Sequence, residues 1–442
     1  MHIVVIGAGV MGVTTAYALS QRGHRVTVIE QLSSAGQETS RANAGQRSYG
    51  YVYPWSSPAM IKKALPWLLQ KDGPLKMQMP PSLDALRFLF ATWRYAKPGI
   101  FEANKRAMLQ LAAYSRECFH TLEAELSLAF DGEQGGVMEL ASDAASAASL
   151  QSALPLLREV GVPHRFLNAE ETLAQEPALS GHGPLLGALW LPEDGTGDCC
   201  HFSQALAAAC ESRGVEFRYN TRVVSAELER EQVVGLLLRP ADEDQVYSGP
   251  KSKQESEPGS EQAPELLQAD AYVLCAGTES NRLGQLFGSR LMIYPVKGYS
   301  LTAPLLDPDK APRYSVIDDR FKVVTTRLGS RMRATGFVEL TGMNREIPEA
   351  RLDTIRRAVA SRFPGAADMS QAEPWAGFRP MTPDGPPLIG RGQYHNLYLN
   401  TGHGTFGWTL SAASAQVIAQ LVDGEAPAVA LDAFRPDRFE PT

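Results

Sequence analysis

Three patterns in this sequence bring together residues suited to chemistry. The first is Gly7-Ala8-Gly9-Val10-Met11-Gly12, followed by Glu30. Gly7 can make a tight turn, Gly9 lets backbone approach a diphosphate, and Gly12 lets a helix pack close to a sheet. Val10 and Met11 then lie at a helix N-terminus, which favours negative charge. A carboxylate at Glu30, with Gln31 behind it, can hold both hydroxyls of a ribose and would repel a 2′-phosphate. The second pattern repeats the spacing at Gly402-His403-Gly404-Thr405-Phe406-Gly407. The third is Arg379, at a turn before Pro380, where a guanidinium can grip a carboxylate in a two-pronged fork. Lys297 and Tyr299 share one strand face by period two and are further candidates to line a pocket. Tyr53, with Tyr51 and Trp55, offers an apolar wall. Arg327, Arg331 and Arg333 lie on a hairpin turning at Gly329-Ser330; they read as solvated charges, with carboxylate binding as their alternative role.

These groups need elements to position them. Residues 2–6 are apolar enough for a buried strand, residues 13–22 have helical periodicity stopped at Gly23, and a second strand over 25–29 ends at Glu30. Strand, glycines, helix, strand and terminal acid in that order make a strong dinucleotide signal. The repeat at Gly402 lies between a strand over 396–400 and a helix over 408–421. Only 35 residues remain after Gly407, and no strand ending in an acid follows. It therefore does not read as a second nucleotide site.

The nature of the dinucleotide follows from the next stretch, Glu38-Thr39-Ser40-Arg41-Ala42-Asn43-Ala44-Gly45-Gln46. Small polar residues here, Ser40, Asn43, Ala44, Gly45 and Gln46, suit a permanently held second cofactor half, so the expected cofactor is FAD. The strand over 269–275 runs into Ala276-Gly277, where backbone can pass close to that cofactor, and Val223 completes the candidate contacts. Gly402, His403, Gly404 and Thr405 then lay a helix N-terminus against the isoalloxazine ring, where the dipole stabilises negative charge on the reduced ring. Cys275 alone does not argue for a covalent flavin link.

With these motifs in place, the chain resembles the small-subunit type of bacterial D-amino acid dehydrogenase, within the wider D-amino acid oxidase, glycine oxidase and sarcosine oxidase superfamily. The resemblance runs nearly end to end. It is carried by the N-terminal fingerprint, residues 40–46, Tyr53-Pro54-Trp55, Leu191-Pro192, Thr196-Gly197-Asp198-Cys199, Tyr294–Ser300, Gly377–Gly385 and Asn400–Thr405. It implies oxidation of a D-amino acid to a 2-oxo acid and ammonia, with electrons passing to a quinone or respiratory-chain acceptor. It also supports Arg379 as the group facing the substrate. Two features depart from the pattern. Arg47 stands where an aliphatic residue is usual, placing an extra cation near flavin or substrate, and residues 240–268 look inserted.

The expected fold class is α/β: a Rossmann-type FAD-binding domain with a second α+β substrate domain carrying an antiparallel sheet. The first collects residues 1–56, 186–290 and 380–432; the second collects 57–185 and 291–379. Residues 240–268, with seven acids and two lysines, form a flexible acidic insertion.

Composition excludes other classes. The net charge of −7 over 442 residues argues against a nucleic-acid binder. Five cysteines without C-x-x-C spacing argue for a reducing compartment and against structural zinc. No apolar run reaches membrane-spanning length, so a cytoplasmic location is expected, with peripheral contact at the inner membrane as an option. Segment 58–97 supplies that option: seven basic residues against two acids, interleaved with Trp67, Phe88, Phe90, Trp93 and Tyr95. The alternative is a helical pair packed over the active site. Three other functions remain open: an oxidase of secondary or cyclic amino acids, a soluble oxidase using oxygen, and a flavin-carrying accessory subunit.

Overall fold

A computed structural model describes residues 1–58, 61, 75–77, 79–133, 135–179, 183–241 and 263–439. The N-terminal strand His2–Ile6 lies near the centre of a six-stranded sheet. Arg25–Ile29 and Glu216–Arg218 extend that sheet on one side, Ala271–Leu274, Leu397–Thr401 and Leu388–Arg391 on the other. Its neighbours are parallel except for the last pair. Strands of a parallel sheet are covered on both faces and so read as continuous apolar runs. His2–Ile6 and Arg25–Ile29 do so because helices cover one face and a three-stranded antiparallel sheet (Thr221–Glu229, Gln232–Pro240, Glu265–Leu267) joins the core on the other. The first helix, Val10–Gln21, is tied to strand Leu397–Thr401 by Asn400 Nδ2, which donates to Thr15 Oγ1 at 2.9 Å.

The second layer system is a nine-stranded mixed sheet dominated by antiparallel pairs, packed against the helix Glu349–Arg362. It carries the long strands Tyr294–Pro304, Arg331–Leu340 and Glu373–Met381 side by side. The α/β architecture with a separate antiparallel sheet is therefore present. Two boundaries need correction. Strand Gly187–Leu191, expected within the first domain, pairs with Val137–Ala141 and Arg165–Asn168 in the nine-stranded sheet. Its burial pattern is that of a core strand either way, so its sequence could not say which sheet it joins. At the end of the segment 240–268, Glu265–Leu267 is a strand paired with Leu236–Leu238, because Leu267 completes an apolar cluster under the sheet. The rest of that insertion, residues 242–262, lies outside the described residues, as does most of 59–74.

Candidate active site

One cavity of about 940 Å³ opens between the two layer systems, near the upper end of the range for cofactor pockets. Its floor at one end is the first glycine loop. Gly7 has φ +104°, and a Cβ there would meet Cys275 O at 2.9 Å. A Cβ at Gly12 would fall 1.8 Å from Gly7 O, so the helix can pack this close only on a bare Cα. Gly9 is different: its backbone is extended, and the nearest atom to an added Cβ is Ser40 Oγ at 3.7 Å. The space in front of Gly9 belongs to the cavity. The amide of Val10 donates to Ser40 Oγ at 3.1 Å, which sets Ser40 at the helix N-terminus.

Glu30 ends its strand inside the cavity wall. Its carboxylate accepts from Ala8 N at 2.7 Å and Leu32 N at 3.0 Å. Burial raises its pKa, and these amides pull in the opposite direction. One oxygen is thus anchored to the glycine loop, and both keep lone pairs for ribose hydroxyls. Gln31, Asn43, Ala44, Val223, Ala276 and Gly277 line the same cavity. Gly277 is left-handed with φ +53°, and open space faces it.

At the other end stand Gly402, His403, Gly404 and Thr405. His403 Nε2 pairs with Ser414 Oγ at 3.0 Å, and its Nδ1 is buried with no hydrogen-bond partner. Burial pulls its pKa down to about 3, so the ring is neutral at working pH. Trp408 Nε1, on the following helix Gly407–Val422, is buried and likewise unpaired. The bare cradle at Gly9 and Gly277, the anchored Glu30 and the unsatisfied His403 Nδ1 fit a long dinucleotide ending in a polar ring system.

Arg379 lies over a floor of bare backbone. Strands Tyr294–Pro304 and Glu373–Met381 pair Gly298 with Gly377. A Cβ at Gly298 would meet Arg379 Nη1 at 2.5 Å, and one at Gly377 would fall 1.7 Å from Trp375 Cη2. The glycine pair therefore makes room for a guanidinium and an indole side by side. Arg379 Nη1 donates to Phe337 O at 3.0 Å. Phe337 has φ +71°, and it lies at a bulge where the register between Lys297 and Tyr299 slips by one residue. A bulky residue held left-handed is a local strain, and here it aims a carbonyl at the guanidinium. Arg379 has no ion pair among the described residues. Burial lowers its pKa to about 10, leaving it charged at neutral pH.

Other expected residues lie elsewhere. Lys297 and Tyr299 do share a face, with Nζ 5.1 Å above the Tyr299 ring. Their polar ends are engaged outside the cavity. Lys297 Nζ donates to Glu346 O, and the Tyr299 hydroxyl donates to Glu339 at 2.6 Å, although Tyr299 borders the cavity. Period two gives a shared face but not which face. Tyr53 packs edge-on against Tyr51 and Phe406, behind the second loop and outside the cavity lining. Gly12, Gly45 and Gln46 are also outside it; Gly45 packs on Gly197 O, and Gln46 donates to Ser315 Oγ at 2.8 Å. Arg47 does not line the cavity itself, although Trp408, which does, lies 5.5 Å from its guanidinium. It is buried among Phe119, Phe130 and Trp408, each within 5.5 Å of its guanidinium, and pairs with Glu123. Arg331 and Arg333 pair with Asp198. Sequence reasoning missed Trp375, Glu38 and Arg345, all in the cavity wall. A glycine two residues after Trp375 was the one available signal.

Comparison with known proteins agrees with this geometry. Residues 2–421 match the family model DAO, described as FAD dependent oxidoreductase. The chain is 42% identical over 432 residues to a D-amino acid dehydrogenase of Cereibacter sphaeroides, covering 97% of this chain and 93% of that one. It is 40% identical over 441 residues to a D-amino acid dehydrogenase of Vibrio cholerae serotype O1, covering 98% and 99%. In fold it is similar to glycine oxidase from Geobacillus kaustophilus, with TM-score 0.74 at 22% identity over 99% of both chains. L-proline dehydrogenase from P. horikoshii gives TM-score 0.72 at 19% identity, over 99% of this chain and 97% of that one. From the dinucleotide cradle to the second glycine loop, this chain belongs to the DAO family of FAD-dependent oxidoreductases.

Proposed function

We propose that the protein oxidises D-amino acids to 2-oxo acids and ammonia and passes the electrons to a quinone of the respiratory chain. The observation that carries this reading is Arg379, a charged guanidinium without a carboxylate partner among the described residues, in the cavity that the dinucleotide loops line. The names of relatives at 40–42% identity support the substrate class. When bound, FAD supplies the hydride acceptor, flavin N5, for the α hydrogen. The chain contributes position; the imino acid so formed then takes up water and releases ammonia, leaving the 2-oxo acid. Arg379 forks the carboxylate, with Phe337 O fixing the guanidinium and Gly298 giving it room. Trp375 lies beside it to contact the rest of the substrate. His403 is neutral and takes no proton at working pH, so the substrate reacts as its free amine and its proton leaves to solvent. The ratio kcat/KM therefore rises with pH as the substrate amine deprotonates.

Anaerobic bleaching of the flavin with a panel of D-, L-, N-methylated and cyclic amino acids tests the substrate class. D-isomers are expected to bleach it, with reoxidation slow in air and fast with a quinone analogue. Bleaching by secondary amines alone would replace the substrate class. Arg379→Lys keeps the charge but loses the fork, and should cut kcat/KM by about 10²-fold or more, the loss of roughly 3 kcal/mol of charge-assisted hydrogen bonding. Unchanged kcat/KM would remove Arg379 from the clamp.

The same proposal includes peripheral membrane contact. Helix Leu83–Tyr95 packs by Phe88, which stacks between Trp55 and Tyr294. Its other face exposes Leu83, Leu86, Phe90 and Trp93, the last two by 64% and 65%. Exposed Arg87, Arg94 and Lys97 rim that face, which suits an anionic bilayer. Among the described residues no helix is long and apolar enough to cross a membrane. Binding to anionic vesicles at low salt, lost in Phe90→Ser with Trp93→Ser, is the expected result. Failure of the wild type to bind would end this part of the proposal.

A further inference from the structure

Arg345 lies in the turn between strand Arg331–Leu340 and helix Glu349–Arg362, in the cavity wall. Its Nη2 reaches both carboxylate oxygens of Glu38, at 2.8 and 3.0 Å, across 307 residues of sequence. The guanidinium also lies 5.3 Å over the Phe378 ring. Glu38 opens the stretch that supplies Ser40, Asn43 and Ala44 to the cavity wall. The neighbouring Thr39 hydroxyl donates to Phe378 O at 2.7 Å. The segment that faces the cofactor is thus held to the other layer system at two adjacent residues, through one aromatic side chain and its carbonyl. Both partners of the ion pair line the cavity and keep about 30% of their side chains exposed, 29% and 31%, which places the pair at the cavity rim.

A carboxylate at this rim faces Glu279 as well, and a diphosphate held on the first glycine loop would add negative charge beside it. Arg41 of the segment itself offsets part of this charge, and Arg345 supplies the cation from the opposite side. We propose that Arg345 is a positioning residue for the cofactor. Through Glu38 it pins the segment 38–44 against the cavity, and FAD leaves only after this pair opens. The inference rests on FAD binding and not on the identity of the amino-acid substrate.

The test is the rate of FAD release from the holoenzyme on dilution, followed by the rise in fluorescence of free FAD, at low and high salt. Arg345→Gln and Glu38→Gln should each speed release by about fivefold, as expected for a partly exposed ion pair reinforced by stacking. The double variant should release no faster than either single one, because the two residues act as one unit. High salt should speed release from the wild type and leave the variants unchanged. Arg345→Lys should fall between wild type and Arg345→Gln, since it keeps charge but not the fork or the stack. Additive effects of the two single variants would overturn the proposal. So would slower release from Glu38→Gln, which would mean that the carboxylate only repels the cofactor. A purely structural loosening would also speed release, but without salt dependence in the wild type, and that too would overturn it.

Discussion

The two Gly-x-Gly-x-x-Gly loops share a spacing and face one cavity, yet their glycines answer to different constraints. In the first loop backbone meets backbone: a Cβ at Gly12 would lie 1.8 Å from Gly7 O, and one at Gly7 would lie 2.9 Å from Cys275 O. In the second the neighbours are side chains: Met381 Sδ lies 2.6 Å from a Cβ at Gly404, and His403 Cβ lies 3.6 Å from one at Gly407. The first helix begins directly at Val10, whereas the second loop inserts a short turn, Gly404–Phe406, before its helix. Backbone cannot move aside without losing the fold, while a thioether can. The first loop is therefore held by backbone packing as well as facing the ligand, while the second is held by the left-handed turns at Gly402 and Gly404, with φ +76° and +54°.

The largest expected effect is at Gly12. Gly12→Ala should destabilise the FAD-free chain by about 3 kcal/mol or more, because neither backbone segment can yield. Denaturant unfolding measures this, and an unshifted midpoint would erase the contrast between the loops. Next is His403, whose burial holds its pKa at about 3 against 6.5 when unfolded. Between those values the unfolded chain binds the extra proton, so stability falls as pH drops from 6.5 toward 3. From pH 6.5 to 4 this costs up to ~3 kcal/mol, and His403→Asn should flatten that part of the stability–pH curve. An identical slope in the variant would mean that the imidazole titrates freely.

Gly9→Ala sharpens the comparison within the first loop. Nothing in the chain crowds that position, so stability without FAD should stay within about 0.5 kcal/mol, while FAD affinity falls by roughly tenfold or more. Equilibrium titration of the apoprotein with FAD reads this, and equal loss in both measurements would make Gly9 a fold glycine like Gly12. The smallest effect belongs to Gly407→Ala. At the start of a helix, with only an ordinary contact to His403 Cβ at 3.6 Å, alanine should change the unfolding free energy of the FAD-free chain by less than ~1 kcal/mol, toward stabilisation.

Much of the cofactor end is legible in the amino-acid sequence alone. Gly7, Gly9, Glu30, Ala276 and Gly277 all reach the cavity wall, because each role is set within one strand–turn–helix or strand–turn unit. The second glycine loop is legible as well, from the strand before it and the helix after it. The substrate end is legible only in part. Arg379 stands out by its place before Pro380, but its partner carbonyl comes from a bulge at Phe337 that no local pattern announces. Lys297 and Tyr299 fall on a common face without any sign that their polar ends bond Glu346 O and Glu339. Arg47 reads as a cation near the flavin. Three aromatic rings from distant segments, Phe119, Phe130 and the cavity-lining Trp408, enclose it, which no local pattern announces.

The sequence by itself determined the dinucleotide unit, since glycine conformation, helix start and strand end are decided by neighbours a few residues apart. It also determined the α/β class, through apolar runs covered on both faces. Only the tertiary structure decided which sheet received Gly187–Leu191 and which strand face met the cavity. It alone brought Glu38 to Arg345 and bared a glycine pair beneath Arg379. Each of these depends on contacts between residues far apart in the chain, and local propensity carries no information about which distant surface will arrive.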